Sequence, residues 1–409
     1  MESLRDFARQ ARRGLAAFWL NTIPARTVQI GITGSYGKTS TTHAIAAVLA
    51  AHAPTLTTDV NLDTIYNIPI TALRLRNHRY AVFEAGIDRP NEMSFHLEIV
   101  QPDISVITGI APVHADADHL GSVENIIREK RKLIEALQPG QRAILHIDDP
   151  NVRDMTSYTQ GDVIGYGQSP KADFRAESIT VRPTGLAFTA VTPDSTFPIQ
   201  TPLLGRHNAT NIMAAVAIGC SLGVPVETMQ AALADLEPLR GRLNIEPGPL
   251  GTTLINDALR ANTASTRAGL TFLDDLTIEG RRIAVLGEMG EIGETAVEEH
   301  AAIGEHIAGL DIDLTVCVGG LTRHIVEGAV ARGLPTDRIQ FVSDVHQAAE
   351  AVANYARAGD ILYLKGSLLR HLERVRLILE GWEVGCTVES CPFYHQCTAC
   401  EYRIPGYIP

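Results

Sequence analysis

Residues 31–40 read GITGSYGKTS and combine glycine, lysine and hydroxyl side chains in an order that suits phosphate binding. Gly34 and Gly37 allow backbone N–H groups to point at one anion, and Lys38 adds a positive charge. Thr39 offers a hydroxyl to Mg²⁺, while the helix predicted after the loop contributes its positive N-terminal end. The loop therefore predicts a nucleotide-phosphate site formed by Gly34, Ser35, Gly37, Lys38, Thr39 and Ser40.

Lys130 occupies an unusual place in the helix predicted over residues 124–138. The apolar side chains of this helix recur at about 100° per residue and define one face; they are Ile126, Ile127, Leu133, Ile134 and Leu137. Lys130 falls near the centre of that face. A lysine in this position has to reach water, pair with an anion or lose its charge.

Four of the six cysteines fall within the last 24 residues, in the order Cys386, Cys391, Cys397 and Cys400. Such a density in a chain without secretion signals suggests a metal site rather than disulfides. Four thiolates suit Zn²⁺ and equally suit a [4Fe–4S] cluster, so both remain open. Only one C-x2-C pair is present, and His395 lies inside the loop as a possible replacement ligand.

The elements that position these residues alternate between apolar strands and helices. We predict strands at 28–34, 79–85, 103–110, 283–287, 314–319 and 361–366, each bordered by a helical segment. This alternation favours parallel sheets covered on both faces, with a predicted antiparallel region at 155–204. The fold class is thus α/β. The predicted divisions are an N-terminal helical extension at 1–27, a central phosphate-loop ATPase domain at 28–241, a second α/β domain at 242–384 and a cysteine-rich tail at 385–409.

Composition and charge limit the classes of protein to which this chain can belong. The chain has 409 residues, 45% of them hydrophobic, which is ordinary for a globular protein with two or three domains. A net charge of −12 argues against nucleic acid as a partner. No apolar run approaches the roughly 20 residues of a transmembrane segment, and no signal peptide is recognisable. The expected location is cytoplasmic.

Several motifs together resemble the Mur ligases, the ATP-dependent amide ligases of cell-wall peptide synthesis. They run in order from the phosphate loop to the C-terminal half: TGSYGKTS, NLDTIYNIPITALRLR, VFEAGIDRPNEM, PDISVITGIAPVH, GRHNATNIMAAVA, PLRGRLN, LINDALRAN, IAVLGEMGEIGE and YLKGSLLRHLER. The likeness spans residues 28 to about 376 and is strongest to the MurF branch, which adds D-alanyl-D-alanine. It implies a Rossmann-like C-terminal domain, ATP and Mg²⁺ as cofactors, and an acid and an amine as small-molecule substrates.

The resemblance also implies roles for individual residues. Lys38 and Thr39 match the residues that hold the β- and γ-phosphates and the first Mg²⁺. Glu84, His114 and a carbamate of Lys130 would be further Mg²⁺ ligands. His114 matches the family histidine better than His119 does. The remaining matches concern nucleotide and substrate binding: Asn208 and Asn211 at the adenine base, Arg242 at the hinge, Asp257 at the nucleotide, and Asn61, Lys365 and Ser367 at the substrates.

Two departures from the family pattern leave the substrates open. The phosphate loop begins at residue 31, so we expect the UDP-binding N-terminal domain to be absent, with a possible protein partner in its place. Leu259, Arg260 and Thr263 replace residues usual in the MurF-like segment, which puts the amine in doubt. The prediction is a MurF-like ligase joining an amino acid or dipeptide to a peptidoglycan-type precursor. The alternatives are a family ligase redirected to a cofactor precursor or amino-acid polymer, and a non-catalytic nucleotide-binding subunit.

Overall fold

The computed structural model describes residues 2–22, 27–59, 64–391, 393 and 396–403. Asn61, predicted at the substrates, and His395, a possible replacement metal ligand, lie outside the described residues. Backbone contacts divide the chain into two compact units, one of residues 1–180 and 185–237, the other of 181–184 and 238–409. The second unit thus begins close to the predicted division at 241/242, while the other predicted domain limits stay predictions.

The first unit is built on a nine-stranded sheet with the spatial order β2-β3-β1-β4-β5-β6-β7-β8-β9. Its strands are β1 (Val28–Thr33), β2 (Thr55–Thr57), β3 (Tyr80–Glu84), β4 (Ile104–Ile107), β5 (Arg142–His146), β6 (Asp162–Gly167), β7 (Phe174–Arg182), β8 (Gly185–Val191) and β9 (Thr196–Thr201). From β2 across to β7 the neighbours pair in parallel, and β8 pairs antiparallel with β9. The α/β class is confirmed. The prediction of antiparallel pairing throughout 155–204 is wrong for β6, which extends the parallel sheet beside β5.

Helices pack on the parallel part of this sheet, because its central strands β1, β3, β4 and β5 are largely buried. They are α1 (Glu2–Thr22), α2 (Lys38–Ala50), α3 (Thr64–Arg74), α4 (Glu92–Leu97), α5 (Val123–Glu135), α6 (Pro150–Arg153), α7 (His207–Ser221) and α8 (Val226–Ala234). Ala16 and Leu20 of α1 are buried in the core of this unit, and Trp19 Nε1 donates to the Leu75 carbonyl at 3.1 Å. The N-terminal helix is therefore packed against the first unit.

The second unit contains a six-stranded sheet with the order β10-β11-β15-β12-β13-β14. Its elements are β10 (Asn244–Pro247), β11 (Thr253–Asp257), α9 (Thr263–Asp275), β12 (Arg282–Gly287), α10 (Ala296–Ile307), β13 (Leu314–Val318), α11 (Arg323–Ala331), β14 (Ile339–Val342), α12 (Val345–Tyr355), β15 (Ile361–Lys365) and α13 (Glu373–Leu379). All pairs are parallel except β10 with β11.

After α13 the chain forms short turns, with 3₁₀ segments at Cys397–Ala399 and Glu401–Arg403. Leu377, Val384 and Cys397 share a small buried apolar cluster, which joins this tail to the second unit. Within the described parts of the chain, none of the helices has the length and apolar character needed to cross a bilayer.

Candidate active site

The phosphate loop lies between β1 and the first turn of α2. Gly37 has φ of +77°, a left-handed conformation that favours glycine, and α2 begins at the next residue. A Cβ atom at Gly37 would lie 2.8 Å from Asn211 Oδ1, and one at Gly34 would collide with the Thr108 hydroxyl. Lys38 Nζ donates to the Gly34 carbonyl at 2.8 Å, so its amine lies across the loop. Both glycines are thus required for close packing of the loop against Thr108 and Asn211. The loop fits a bound phosphate because it leads directly into the N-terminus of α2 and carries the Lys38 amine.

Thr108 and Asp149, which the sequence analysis missed, hold this loop in place. The Tyr36 hydroxyl donates to Asp149 Oδ2 at 2.8 Å, and the same oxygen accepts from the backbone N–H of Ile110 at 2.8 Å. The Thr108 hydroxyl donates to the Tyr36 carbonyl. Burial, with the Asp149 charge, raises the pKa of Tyr36 well above its ordinary value. Thr108 and Asp149 follow β4 and β5 at the carboxyl edge of the sheet. Ligands of α/β proteins bind at this edge, so their position after predicted strands could have identified them as candidate site residues.

Thr39 and Glu84 bring two hard oxygen ligands together beside the loop. The Thr39 hydroxyl donates to Glu84 Oε1 at 3.1 Å, although 45 residues separate them. Glu84 is the last residue of β3, which pairs directly with β1, and its backbone N–H donates to Thr58 Oγ1 at 3.0 Å. A hydroxyl and a carboxylate at this place fit Mg²⁺. Ser40 lies in the first turn of α2 and is half-buried.

Lys130 is buried on the inner face of α5, with 2% of its surface exposed, as the helical phase predicted. Among the described residues its Nζ has neither a hydrogen bond nor an ion pair; the carboxylates that act on it electrostatically are Asp88, Glu129 and Glu92. Burial lowers the pKa of Lys130 well below the ordinary value, and the positive charge of Lys38 lowers it further. The structure therefore favours a neutral amine at this position.

The two candidate histidines of the loop after β4 have different surroundings. His119 Nδ1 contacts Asp116 Oδ1 at 2.6 Å, within the polar loop itself. His114 has φ of +63° and is half-buried, and its ring centroid lies 5.1 Å from that of His119. A left-handed histidine is uncommon, and such backbone conformations persist where the surrounding structure holds them. His114 as a Mg²⁺ ligand stays a prediction.

Asn208 and Asn211 lie one turn apart on α7, and both are buried. Asn211 Nδ2 donates to Asn208 Oδ1 at 2.8 Å, while Asn211 Oδ1 accepts from the Thr41 hydroxyl of α2 at 3.3 Å. The pair therefore shares one face, as predicted, and connects α7 to the helix that follows the phosphate loop. Their contact with an adenine base stays a prediction.

In the second unit, Asp257 and Lys365 form a buried ion pair at the ends of the adjacent strands β11 and β15. Lys365 Nζ donates to Asp257 Oδ2 at 2.7 Å, and the Tyr363 hydroxyl donates to the same oxygen at 3.0 Å. Burial raises the pKa of Asp257 and lowers that of Lys365, while each charge opposes the shift of its partner. The Arg242 charge also acts on Asp257. The structure thus brings three predicted site residues together.

Ser367 lies two residues beyond this pair, and its backbone N–H donates to the Glu288 carbonyl at 3.2 Å. Glu288, which the sequence analysis did not single out, forms an ion pair of 2.6 Å with Arg370. Glu288 follows β12, and Ser367 and Arg370 follow β15, the neighbouring strand in the sheet. The predicted substrate motif is therefore anchored at the carboxyl edge of the second sheet.

The cysteine tail differs from the predicted four-thiolate arrangement. Among the described residues of this unit, the group of ligand atoms within 4.8 Å of one another belongs to His371, Glu373 and Cys397. It contains one of the four clustered cysteines. Cys386 Sγ instead accepts a hydrogen bond from Arg374 Nη1 at 3.4 Å. A metal bound by all four thiolates stays a prediction that this arrangement does not display.

The chain is similar to known proteins over most of its length. The Mur ligase middle domain matches residues 32–219, and the Mur ligase glutamate ligase domain matches residues 241–368. The UDP-N-acetylmuramoyl-tripeptide–D-alanyl-D-alanine ligase of Bacillus subtilis is 31% identical over 373 residues, which are 91% of this chain and 79% of that protein. The enzyme of the same name from Escherichia coli is 32% identical over 75% of this chain and 67% of its own.

Solved structures agree with this match. The crystal structure of MurF from Acinetobacter baumannii superimposes with a TM-score of 0.82 at 28% identity, covering 91% of this chain and 80% of that one. MurF from Thermotoga maritima, solved in complex with ADP, has a TM-score of 0.78 at 23% identity over 91% and 83% of the two chains, and shares the fold.

Proposed function

This chain belongs to the Mur ligase family, and we propose that it joins the carboxylate of a peptidoglycan-type precursor to the amine of an amino acid or dipeptide. It is an ATP-dependent, MurF-like ligase that forms a carbon–nitrogen bond. The names of its relatives supply the proposed substrates, UDP-N-acetylmuramoyl-tripeptide as the acid and D-alanyl-D-alanine as the amine.

The proposed reaction has two balanced steps. A carboxylate oxygen of the acid attacks the γ-phosphorus of ATP, and ADP leaves as the acyl phosphate forms. The amine nitrogen then attacks the acyl carbon and loses a proton, while phosphate leaves with the oxygen that came from the acid. Such chemistry depends on positioning and charge neutralisation more than on covalent help from the protein.

The observation that carries the proposal is the arrangement around Lys38. Its amine lies across a loop that leads into the N-terminus of α2, and the Thr39–Glu84 pair supplies oxygen ligands beside it. Mg²⁺ uses such ligands and neutralises phosphate charge when bound. Thr39, Glu84 and His114 would hold it in this chain. Asn208 and Asn211 are proposed for the adenine base.

Lys130 is proposed to act as a carbamate. A neutral, buried amine is nucleophilic, so its nitrogen can attack CO₂, form an N–C bond and lose one proton. The product carries a carboxylate, which would be a further Mg²⁺ ligand. The absence of a hydrogen bond or ion pair to Nζ among the described residues, together with its burial, supports this modification.

The second unit is proposed to bind the reacting substrates and the nucleotide. Asp257 and Arg242 are the proposed nucleotide contacts, and Lys365 and Ser367 the proposed substrate contacts. Arg260 and Thr263 depart from the usual family residues, and the Thr263 hydroxyl donates to the Glu299 carboxylate. This departure keeps a different amine, or a non-cell-wall acid, as the second candidate. A protein partner at the N-terminal side and a metal in the tail stay predictions.

Phosphate release from ATP tests the proposal when the acid and the amine are supplied separately and together. We expect ADP and phosphate to accumulate only with both substrates, and mass spectrometry to detect the amide. The matched control is the same pair with Lys38→Ala enzyme, which we expect to be inactive. Turnover with the acid alone would indicate a kinase, and tight ATP binding without turnover on any pair would favour a non-catalytic subunit.

A further inference from the structure

A buried group of three different metal-ligand types lies where the tail meets the start of α13. His371 and Cys397 are 2% and 8% exposed, and their ligand atoms lie within 4.8 Å of each other and of Glu373. His371 Nδ1 contacts Glu373 Oε1 at 2.8 Å. Imidazole nitrogen, thiolate sulfur and carboxylate oxygen are the three ligands that proteins offer to Zn²⁺. The ligase reaction proposed above uses none of these residues.

His371 is oriented as a metal-binding histidine would be. Its Nε2 donates to the Phe393 carbonyl at 2.9 Å, which leaves Nδ1 on the side of Glu373 and Cys397. Zinc-bound histidines ordinarily donate their second ring nitrogen to a carbonyl or carboxylate, because this fixes the tautomer. The backbone of His371 has φ of +47°, a conformation that is uncommon outside glycine. Such a conformation persists where the surrounding structure holds it.

Cys400 completes a chelating pair with Cys397. Cys397 is the first residue of the 3₁₀ turn Cys397–Ala399, and Cys400 follows its last residue. The Cys400 N–H donates to the Cys397 carbonyl at 3.2 Å, and the two side chains interact electrostatically. A C-x2-C turn presents two sulfurs to one metal in many zinc sites. Cys400 is half-buried and lies outside the group of three, but it is the cysteine nearest to Cys397 in sequence and the one whose side chain acts on it electrostatically.

The other two cysteines have different partners. Neither Cys386 nor Cys391 belongs to the group of three ligands. Cys386 Sγ accepts from the Arg374 guanidinium at 3.4 Å, and the Cys391 segment is held by its backbone N–H, which donates to the Leu369 carbonyl at 2.8 Å. Iron–sulfur clusters of the four-iron type are held by four cysteines, which this arrangement does not bring together. Mixed nitrogen, oxygen and sulfur ligands suit Zn²⁺ instead.

We propose that His371, Glu373, Cys397 and Cys400 form a structural Zn²⁺ site that fastens the tail to the segment carrying Lys365 and Ser367. Zn²⁺ binding displaces the thiol protons of both cysteines and the proton that lies between His371 Nδ1 and Glu373 Oε1. These protons are released to solvent, and no redox step is involved. The site is independent of the ligase chemistry, so its test and the substrate test can fail separately.

The first test measures bound zinc in the purified full-length chain by elemental analysis. We expect one zinc per chain in the wild type and loss of that zinc in His371→Ala and Cys397→Ser. Cys386→Ser and Cys391→Ser should keep the metal. His324→Ala is the matched control, because His324 Nδ1 contacts Glu327 Oε2 at 2.7 Å in a comparable pair without a cysteine.

A second measurement needs no variant and so guards against misfolding. Substitution by Co²⁺ should give the absorption of a tetrahedral ion with charge-transfer intensity appropriate to two thiolates. Intensity appropriate to four thiolates would overturn the proposal, as would metal loss in Cys386→Ser and Cys391→Ser with retention in His371→Ala. A chain that contains iron and sulfide, or that binds neither zinc nor cobalt, would overturn it as well.

Discussion

The hydroxyl of Thr39 donates a hydrogen bond of 3.1 Å to Glu84 Oε1. The two residues belong to different segments, the first turn of α2 and the end of β3, and meet because β3 lies directly beside β1 in the sheet. Carboxyl ends of parallel strands gather at one edge, where α/β proteins bind ligands. This contact defines the proposed Mg²⁺ position beside the phosphate loop.

Replacing Glu84 by glutamine tests that position. The neutral amide is a weaker ligand for a hard cation, so Glu84→Gln should raise the Mg²⁺ concentration needed for half-maximal activity at least about 10-fold. Magnesium titration of ATP turnover measures this. Glu98→Gln serves as control, since Glu98 pairs with Arg13 on the surface and is 64% exposed. An unchanged magnesium requirement in Glu84→Gln would exclude Glu84 as a ligand.

Lys130 should be detectable as a carbamate. We expect ¹³C NMR of protein equilibrated with ¹³C-bicarbonate to give a carbamate resonance, because burial lowers the pKa of Lys130 and favours the neutral amine. The signal should vanish in Lys130→Ala and persist in Lys132→Ala. Lys132 lies on the same helix, but its amine pairs with Glu129 at 2.7 Å and is partly exposed. A wild-type spectrum without the resonance would contradict the modification.

Tyr36 is expected to position the phosphate loop through Asp149. Tyr36→Phe removes the 2.8 Å hydrogen bond and leaves the ring in place. A net loss of about 1 kcal/mol in ATP binding corresponds to a rise in KM for ATP of about 5-fold. Steady-state kinetics at varied ATP measure it, with the exposed Tyr158→Phe as the comparison. Equal ATP dependence in both variants would remove Tyr36 from this role.

The buried Asp257–Lys365 pair should make a large contribution to stability. Asp257→Ala leaves a buried lysine without its counter-charge, and we expect a loss of about 3–5 kcal/mol in the free energy of unfolding. Urea unfolding measures this loss. Glu305→Ala breaks the exposed pair with Arg332 and should cost no more than about 1 kcal/mol. Similar losses in the two variants would mean that burial does not determine the strength of the first pair.

His300 should make stability depend on pH. Burial lowers the pKa of this histidine below its ordinary 6.5, and its Nε2 accepts from the Met289 N–H at 3.1 Å. Below pH 6.5 the unfolded chain binds a proton that the folded chain binds less readily. Stability therefore falls as pH falls through this window, by at most about 1.4 kcal/mol per pH unit.

Urea unfolding between pH 7 and pH 5 tests this pH dependence. The slope of stability against pH should be shallower in His300→Gln than in the wild type. His78→Gln, which alters a half-buried histidine that is not among the charges acting on His300, should keep the wild-type slope. If His300→Gln also kept it, another group would have to account for the pH dependence.

Local patterns in the sequence were sufficient for part of the site. The phosphate loop follows from consecutive residues, and the burial of Lys130 follows from helical phase alone. The α/β fold likewise follows from alternating strands and helices. In each case the information lies in consecutive residues of one loop or helix, or in the order of such segments along the chain.

Contacts between distant segments could not be predicted in this way. Asp149 lies 113 residues from Tyr36, and nothing in either segment indicates that they meet. The same holds for Cys397, whose neighbours His371 and Glu373 belong to a different motif. The pairing of β6 was misjudged because a short strand beside Pro and Gly resembles a hairpin strand, while its parallel pairing with β5 depends on the whole sheet.

The most direct test of the acyl-phosphate mechanism follows one carboxylate oxygen of the acid substrate. The acid substrate is labelled with ¹⁸O in its reacting carboxylate, and the phosphate released during turnover with the amine and ATP is analysed by mass spectrometry. An acyl phosphate requires one labelled oxygen to pass from the carboxylate to each phosphate. Phosphate that carries the label is the result we predict, and unlabelled phosphate alongside amide product would contradict the mechanism.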